Sequence, residues 1–469
     1  MAELEPLDLA APRRIHITNA GGAGMSAIAV LLAQMGHAVT GHEPNPASPF
    51  LARLRDLGVA VSSDPAGALG ATGADGLDAV VTSTATPADH PDVVAARAAG
   101  VPVVHRKVAL AALCARRTVA AVAGTHGKTT TSALLATILH GAGRRPGWIV
   151  GAKVAGLGCA AEWGGDGPLV VEADESDGTF LAVEADAAVV TNVEADHLEH
   201  WGDEARLRAG FEQFVAALPG PAVLCLDDPG AATLVPAAAD AVTYGTDSAA
   251  DYRAVDVEVE GTGVRFTLLH GDERHGVVVP AAPGVHNARN AAGALALAHR
   301  LGVPLAEGAS ALAGFRGVAR RFELRGEAGG VVFVDSYDHL PTEIAAALAA
   351  ARAGGWLRVV ACFQPHRYSR TAALGATFAH AFVDADRLVV TDVYPAGEPP
   401  RPGVTGKLVV DAVLDAHPWA EVAWIPDLDD VVTYLRSVLR PGDLCLTLGA
   451  GDLTELPDRL IAALAERDR

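Results

Sequence analysis

Gly124-Thr125-His126-Gly127-Lys128-Thr129-Thr130 is a run of residues suited to holding phosphate. The glycines let backbone N–H groups face an anion, Lys128 supplies a point charge for terminal phosphates, and the Thr129 hydroxyl is a ligand type for Mg²⁺. An apolar run from Thr118 to Ala123 precedes the segment, and Leu134, Leu135, Ile138 and Leu139 recur at helical spacing after it. The segment is therefore expected as a loop between a buried strand and a helix N-terminus, where the helix dipole also favours anions. It departs from the usual G-x-x-x-x-G-K-[ST] form, because Val122 stands five residues before Gly127 and the upstream glycine is Gly124.

Further along, Glu172 ends the apolar run Pro168 to Val171, a position from which a carboxylate can reach a metal that bridges phosphates. Asp174, Glu175 and Asp177 crowd the same turn, and a solvated charged loop is the plainer reading for any one of them. His197 follows the apolar run Ala187 to Val190 and is either a capping or core histidine or a ligand of a second divalent ion. Asn287 can cap the Ala-rich helix that opens near His286, while Asn290, one turn on, can face an adenine edge. Two more strand-end clusters come later: Asp335-Ser336-Tyr337-Asp338-His339 and Gln364-Pro365-His366-Arg367-Tyr368-Ser369-Arg370. Arginines three apart share a helical face and can grip one carboxylate bidentately, or else pair with acids of the protein itself. Asp335 can accept hydrogen bonds from a ribose or cap the next helix.

Three α/β units in succession would position these groups. In the first, a strand from Ile15 to Thr18, the loop Gly21-Gly22-Ala23-Gly24, a helix from Met25 to about Met35 and a strand from His37 to Thr40 lead to Glu43. That order is the arrangement of a nucleotide-binding Rossmann unit, and also of a glycine loop that merely lets a helix pack closely on a sheet. The second unit begins near Arg117. In a parallel sheet its strand ends share one edge, so the Glu172 and His197 clusters should converge on the phosphate loop. The third starts near Arg320 and has strand-like runs at Val331 to Val334, Arg358 to Phe363, Arg387 to Thr391 and Leu444 to Leu448, separated by Ala-rich helical segments. No repeat of solenoid period is present.

The length of 469 residues suits about three domains, and half the residues are hydrophobic, enough for sizeable cores. A formal net charge of −20 argues against nucleic acid and anionic membrane surfaces as partners, so anionic ligands need local positive sites. Met1 to Asp8 lack a basic region followed by an apolar stretch, and a cytoplasmic location is expected. Cys114, Cys159, Cys225, Cys362 and Cys445 are scattered without a C-x-x-C pair, which favours reduced thiols.

Together these stretches resemble the Mur ligases of peptidoglycan synthesis. The likeness is carried by Gly21 to Ser26, Gly124 to Thr130, Glu172 to Asp177, Thr191 to His197, His286-Asn287-Ala288, Arg320-Arg321-Phe322, Gln364 to Thr371 and Asp392 to Glu398. The short G-T-x-G-K-T loop is common to that family and to folylpolyglutamate synthases, while the GGAGMS and QPHRYSRT stretches point to its alanine-adding branch. The resemblance implies an α/β protein of three consecutive domains. Residues 1–116 would form a Rossmann-like domain for a UDP-sugar, 117–318 a central P-loop ATPase-like parallel sheet, and 319–469 a Rossmann-like domain that brings the amino acid and closes on ATP. It implies ATP-dependent joining of L-alanine to the carboxylate of UDP-N-acetylmuramate through an acyl phosphate, in cell-wall biogenesis, by a monomer or homodimer. The other reading is a paralogous amide ligase with a different acceptor or amino acid, such as a murein-peptide recycling ligase.

By residue, the resemblance implies Lys128 on the phosphates, with Gly124, Thr125, His126, Gly127 and Thr130 around them. Thr129 and Glu172 would hold a first Mg²⁺ or Mn²⁺ and His197 a second. Asn290, Arg321 and Asp335 would hold ATP, and Tyr337, His339, His366, Arg367 and Arg370 would surround the amino acid. The sugar nucleotide would lie over Gly21, Gly22, Ala23 and Gly24, near Glu43 and Arg106, and reach His126. His197, His339 or a phosphate oxygen is available to take the amine's proton. Where the family reads G-x-G-G-A-G, G-S-D and D-D-Y-[GA]-H-H-P-T-E, this chain has Asn19-Ala20-Gly21-Gly22, Gly41-His42-Glu43 and Asp335-Ser336-Tyr337-Asp338-His339-Leu340. These departures touch both substrate sites and spare the phosphate loop.

Overall fold

The structure is a computed structural model that describes residues 7–465 apart from 65 and 70–72. The start of the chain from Met1 to Pro6 lies outside the described residues. The chain forms two compact units, one of Met1–Arg253 with Ala291–Ala311 and one of Ala254–Asn290 with Leu312–Arg469.

The first unit opens with five short strands, β1 (Arg14–Ile17), β2 (Ala38–His42), β3 (Ala60–Ser62), β4 (Ala79–Thr82) and β5 (Val103–His105). They are parallel in the order β3-β2-β1-β4-β5, with Ile15 and Ile17 fully buried. The order reverses beside β1, which opens a crevice at its carboxyl end, above the glycine loop. The helix after that loop spans Ala23–Gln34, starting two residues before the expected Met25. No side chain caps it: the N-cap residue is Gly22, whose extended backbone presents the first helical N–H groups directly.

A second parallel sheet follows, built from β6 (Val119–Ala123), β7 (Gly147–Ile149), β8 (Ala161–Glu162), β9 (Leu169–Glu172), β10 (Ala187–Val190), β11 (Ala222–Cys225) and β12 (Ala241–Gly245). These seven strands run in the order β12-β11-β10-β6-β9-β7-β8, and of them only β8 is antiparallel. β6 lies between β10 and β9, covered on both faces, which is why Val-Ala-Ala-Val-Ala has no polar member. Val122 pairs with Glu172 and Ala123 with Val190, so all three strands end level with Gly124.

In the second unit, β13 (Tyr252–Glu260), β14 (Gly263–His270) and β15 (Glu273–Val279) form an antiparallel meander from Ala254 onward. The third sheet contains β16 (Glu323–Ala328), β17 (Val331–Ser336), β18 (Arg358–Phe363), β19 (Arg387–Val390), β20 (Val422–Trp424) and β21 (Asp443–Leu448). Its order is β16-β17-β21-β18-β19-β20, parallel apart from β16. The period of two divides β18 between its faces: Val359, Ala361 and Phe363 pack with Ile344 and Leu348, while Val360 and Cys362 pack with Leu435 and Leu460. Ser336 and Phe363 both pair with Leu448, so the segments after β17 and β18 leave the sheet at one edge. Among the described residues no helix is long and apolar enough to cross a membrane.

Candidate active site

The phosphate loop is shaped by what surrounds it. Gly124 has φ +130°, and a Cβ added there would lie 2.1 Å from Thr191 Oγ1, so only glycine fits. Gly127 is left-handed at φ 79° and turns the chain into the helix Lys128–Gly141. The end of β10 braces the loop. Asn192 Oδ1 accepts from the His126 N–H at 2.7 Å, its Nδ2 donates to the His126 carbonyl at 3.0 Å, and the Thr191 hydroxyl donates to the same carbonyl at 2.6 Å. The Thr125 hydroxyl accepts from the Glu194 N–H at 2.9 Å, and His126 Nε2 lies 3.5 Å from a Glu194 carboxylate oxygen. Thr130 is half-buried in the first turn of the helix.

Lys128 folds back over this loop. Its ammonium donates to the carbonyls of Gly124 at 2.6 Å and Thr125 at 3.0 Å and stands 2.8 Å from the Glu175 carboxylate. Burial works against the charge of Lys128, but the Glu175 carboxylate outweighs it and the pKa of the ammonium is raised. At the next residue, the Thr129 hydroxyl donates to Glu172 Oε1 at 2.8 Å, and Glu172 Oε2 accepts from the Gly151 N–H at 2.5 Å. Hydroxyl and carboxylate oxygens side by side are the hard donors that Mg²⁺ prefers, so this pair fits such an ion. His197 has φ +53° and precedes the one-turn helix Leu198–Trp201, with its Nε2 3.4 Å from Asp196 Oδ2.

Around the first glycine loop, Glu43 is buried. Its Oε2 accepts from the Gly21 N–H and its Oε1 from the Asn45 N–H, both at 2.9 Å. A Cβ on Gly21 would sit 2.7 Å from the Glu43 carboxyl, and one on Gly24 would sit 3.2 Å from Arg106 Nη1. Arg106 is paired with Asp177 at 2.6 Å. Gly22, the N-cap, and Ala23, the first helical residue, lie between Gly21 and Gly24 in the loop.

The second unit carries the remaining residues. Asn287 is not the expected helix cap, because the helix Val285–Arg300 has already begun and its amide instead donates to the Pro283 carbonyl at 2.7 Å. The Asn287 carbonyl oxygen accepts from Asn290 at 3.1 Å. Asp335 does not cap a helix either. It is a buried strand residue whose oxygens accept from Thr447 and Thr454, each at 2.6 Å, with Arg320 3.5 Å away. The Arg321 guanidinium lies over the Tyr337 ring at 5.1 Å. His339 donates from Nδ1 to the Tyr337 carbonyl at 3.1 Å, and its ring meets that of His366 at 5.8 Å. His366 stacks on Tyr394 and hydrogen bonds Arg370 Nη1 through Nδ1 at 3.2 Å. Burial lowers the pKa of His339, and burial with the His339 and Arg370 charges brings His366 down to about 4. Arg367 is the residue before the helix Tyr368–Leu374, with φ 68°. It does not lie within a shared helical face as the spacing had suggested. Among the described residues none of Arg321, Arg367 and Arg370 forms an ion pair with a carboxylate. A cavity of about 310 Å³ opens beside Tyr394 and Gln364, bordered by Asp392, Asp427 and Asp452.

Sequence reasoning grouped Glu175 with a charged turn and missed it as the partner of Lys128. It also passed over Asn192 and Gly151. The signal for Glu175 was weak: an acid three residues past a strand-end carboxylate, in a turn that holds two others.

Three family models match consecutive parts of the chain. They are the Mur ligase family catalytic domain at residues 14–118, the Mur ligase middle domain at 167–298, and the Mur ligase glutamate ligase domain at 320–451. The UDP-N-acetylmuramate–L-alanine ligase of Kineococcus radiotolerans is 47% identical over 464 residues, covering 97% of each chain. That of an Anaeromyxobacter species is 44% identical over 456 residues, covering 97% of this chain and 98% of its own. The crystal structure of the UDP-N-acetylmuramate–alanine ligase of Thermotoga maritima superposes with a TM-score of 0.82 at 28% identity, covering 97% of this chain and 100% of that one. With relatives this similar along nearly the whole chain, the protein belongs to the Mur ligase family.

Proposed function

We propose that the protein is an ATP-dependent ligase that joins L-alanine to the carboxylate of UDP-N-acetylmuramate, with release of ADP and phosphate, in peptidoglycan biosynthesis. The observation that carries this reading is the near full-length similarity to ligases of that name at 44% and 47% identity. The division into 1–116, 117–318 and 319–469 is part of the same reading and is supported by the three separate sheet regions.

A carboxylate oxygen of the sugar attacks the γ-phosphorus of ATP, the bond to the ADP oxygen breaks, and an acyl phosphate forms. The amine of the amino acid then adds to the acyl carbon, phosphate leaves, and the amine gives up a proton. The first step brings two anions together, so positive charge must be fixed where they meet. Lys128 would supply it by turning its ammonium from Glu175 to the phosphates, with the loop N–H groups of Gly127 to Thr130 as the cradle. Thr129 and Glu172 would hold a Mg²⁺ and His197 a second ion; bound there, such ions offset phosphate charge. Gly21 to Gly24, Glu43, Arg106 and His126 would receive the sugar nucleotide, and Asn290, Arg321 and Asp335 would contact ATP. Arg367 and Arg370 would take the carboxylate of the amino acid, leaving its amine oriented by Tyr337, His339 and His366. A neutral imidazole at His339, favoured by its burial, is able to accept the amine's proton. The test is phosphate release from ATP with UDP-N-acetylmuramate and each amino acid in turn. Turnover that requires L-alanine supports the reading, and turnover confined to another acceptor or amino acid overturns it.

A further inference from the structure

Away from the phosphate loop, His42, His90 and Asp92 bring one donor atom each to within 4.8 Å of one another at an edge of the first sheet. His42 ends β2, whereas His90 and Asp92 belong to the start of the helix Pro91–Ala98. His42 Nε2 donates to the Asp64 carbonyl at 2.9 Å, which fixes the tautomer and leaves Nδ1 as a bare lone pair. That Nδ1 is buried, has no hydrogen-bond partner among the described residues, and faces Asp92 Oδ2 at 4.0 Å. An imidazole oriented through one nitrogen by a backbone carbonyl, with the other nitrogen free, is the usual preparation of a metal-binding histidine. His90 is the N-cap of the helix Pro91–Ala98, its Nδ1 accepting from the Asp92 N–H at 3.2 Å, and at 10% side-chain exposure it is the ligand nearest solvent and gives an entry path.

Asp92 makes the case from the other side. Its side chain is fully buried, with Oδ1 accepting from the Leu69 N–H at 2.7 Å and Oδ2 from His16 Nε2 at 3.2 Å. Among the described residues no Lys or Arg pairs with it. A buried carboxylate without a cation is costly, and here the side chains that face it are the imidazoles of His16, His42 and His90. His42 therefore places an imidazole next to a buried carboxylate that has no Lys or Arg counter-charge among the described residues.

We propose that His42, His90 and Asp92 bind a divalent transition-metal ion, Zn²⁺ being the best match to two imidazoles and one carboxylate. At Zn–N and Zn–O distances of about 2.0–2.1 Å, tetrahedral donors stand about 3.4 Å apart, so closing on the ion moves them by under about 1.5 Å. Such an ion ties the end of β2 to the helix Pro91–Ala98, one residue from Glu43 and the glycine loop it holds. Its role is to stiffen this edge, separate from the Mg²⁺ chemistry.

The full-length protein, stripped with a chelator and dialysed against Zn²⁺, should retain one tightly held ion per chain by mass spectrometry. X-ray absorption at the zinc edge should show two imidazoles and an oxygen ligand. His42→Ser and His90→Asn, the latter keeping a residue able to cap its helix, should each weaken binding at least tenfold while circular dichroism stays unchanged. The thermal midpoint of the unaltered protein should rise with Zn²⁺, and those of the variants should not. No retained zinc, unchanged affinity in both variants, or loss of the ion on substituting His417 of the exposed His380–His417 pair instead overturns the proposal.

Discussion

Lys128 sets its charge against Glu175 at 2.8 Å, in a loop where glycines and Asn192 leave no freedom. Arg321, Arg367 and Arg370, at the edge of the third sheet, have rings and imidazoles as neighbours and no carboxylate partner among the described residues. One region pairs its cation with a buried acid, and the other sets its guanidiniums against aromatic and imidazole rings. On the proposed reading a phosphate would draw Lys128 away from a buried acid, whereas a small carboxylate would meet guanidiniums not engaged by an acid. The first arrangement suits a highly charged ligand that binds strongly, and the second suits a weakly bound zwitterion.

The largest effect should come from breaking the Lys128–Glu175 pair. Lys128→Met is expected to lower phosphate release by about 10²–10³-fold. It should also cost about 3–5 kcal/mol in urea unfolding, because a buried acid loses its cation. Lys128→Met with Glu175→Gln should regain most of that stability and none of the turnover; recovery of both would mean that the ammonium acts only within the fold. In the other region, Arg370→Ala should raise KM for the amino acid about 10–100-fold, as for loss of a charged hydrogen bond of about 1.5–3 kcal/mol. KM for the sugar nucleotide should stay unchanged, and Arg370→Lys should not restore the fork-like grip. A shift in the sugar KM instead would erase the contrast between the regions.

Much of this was legible from residue type. β6, β9 and β10 are apolar runs that end in Gly124, Glu172 and the Thr191 cluster, and a parallel sheet brings such ends to one edge whatever the loops between them. What could not be read depends on partners distant in the chain. Asp335 is held by threonines 112 and 119 residues away, and Arg106 by an acid 71 residues away. Asn287 looked like a cap because its type favours that position, but the helix begins two residues earlier and tertiary packing decides its register.

Smaller effects sharpen the same contrast. Gly124→Ala forces a Cβ against Thr191 at a φ that disfavours side chains, and should cost about 2 kcal/mol in unfolding with a matching fall in ATP affinity. Unchanged stability would show that the loop is less constrained than its contacts imply. The smallest is a pH effect confined to the second region. His366, held at about 4 by burial and nearby positive charge, has a lower pKa folded than its unfolded value of 6.5. Its neutral form favours the native state, so its stabilising contribution is full above about pH 6.5 and is lost as pH falls from about 6.5 to about 4. The thermal midpoint should decline across that window, and less so in His366→Phe; equal slopes would remove His366 from the account.

The central claim, that a sugar carboxylate is activated as an acyl phosphate at the Lys128 loop, is tested most directly by following oxygen. UDP-N-acetylmuramate labelled with heavy oxygen in its carboxylate is turned over with ATP and L-alanine, and the released phosphate is weighed by mass spectrometry. The account predicts one labelled oxygen in each phosphate, because the attacking oxygen leaves on phosphorus when the amine takes its place. Amide product formed together with unlabelled phosphate would contradict it.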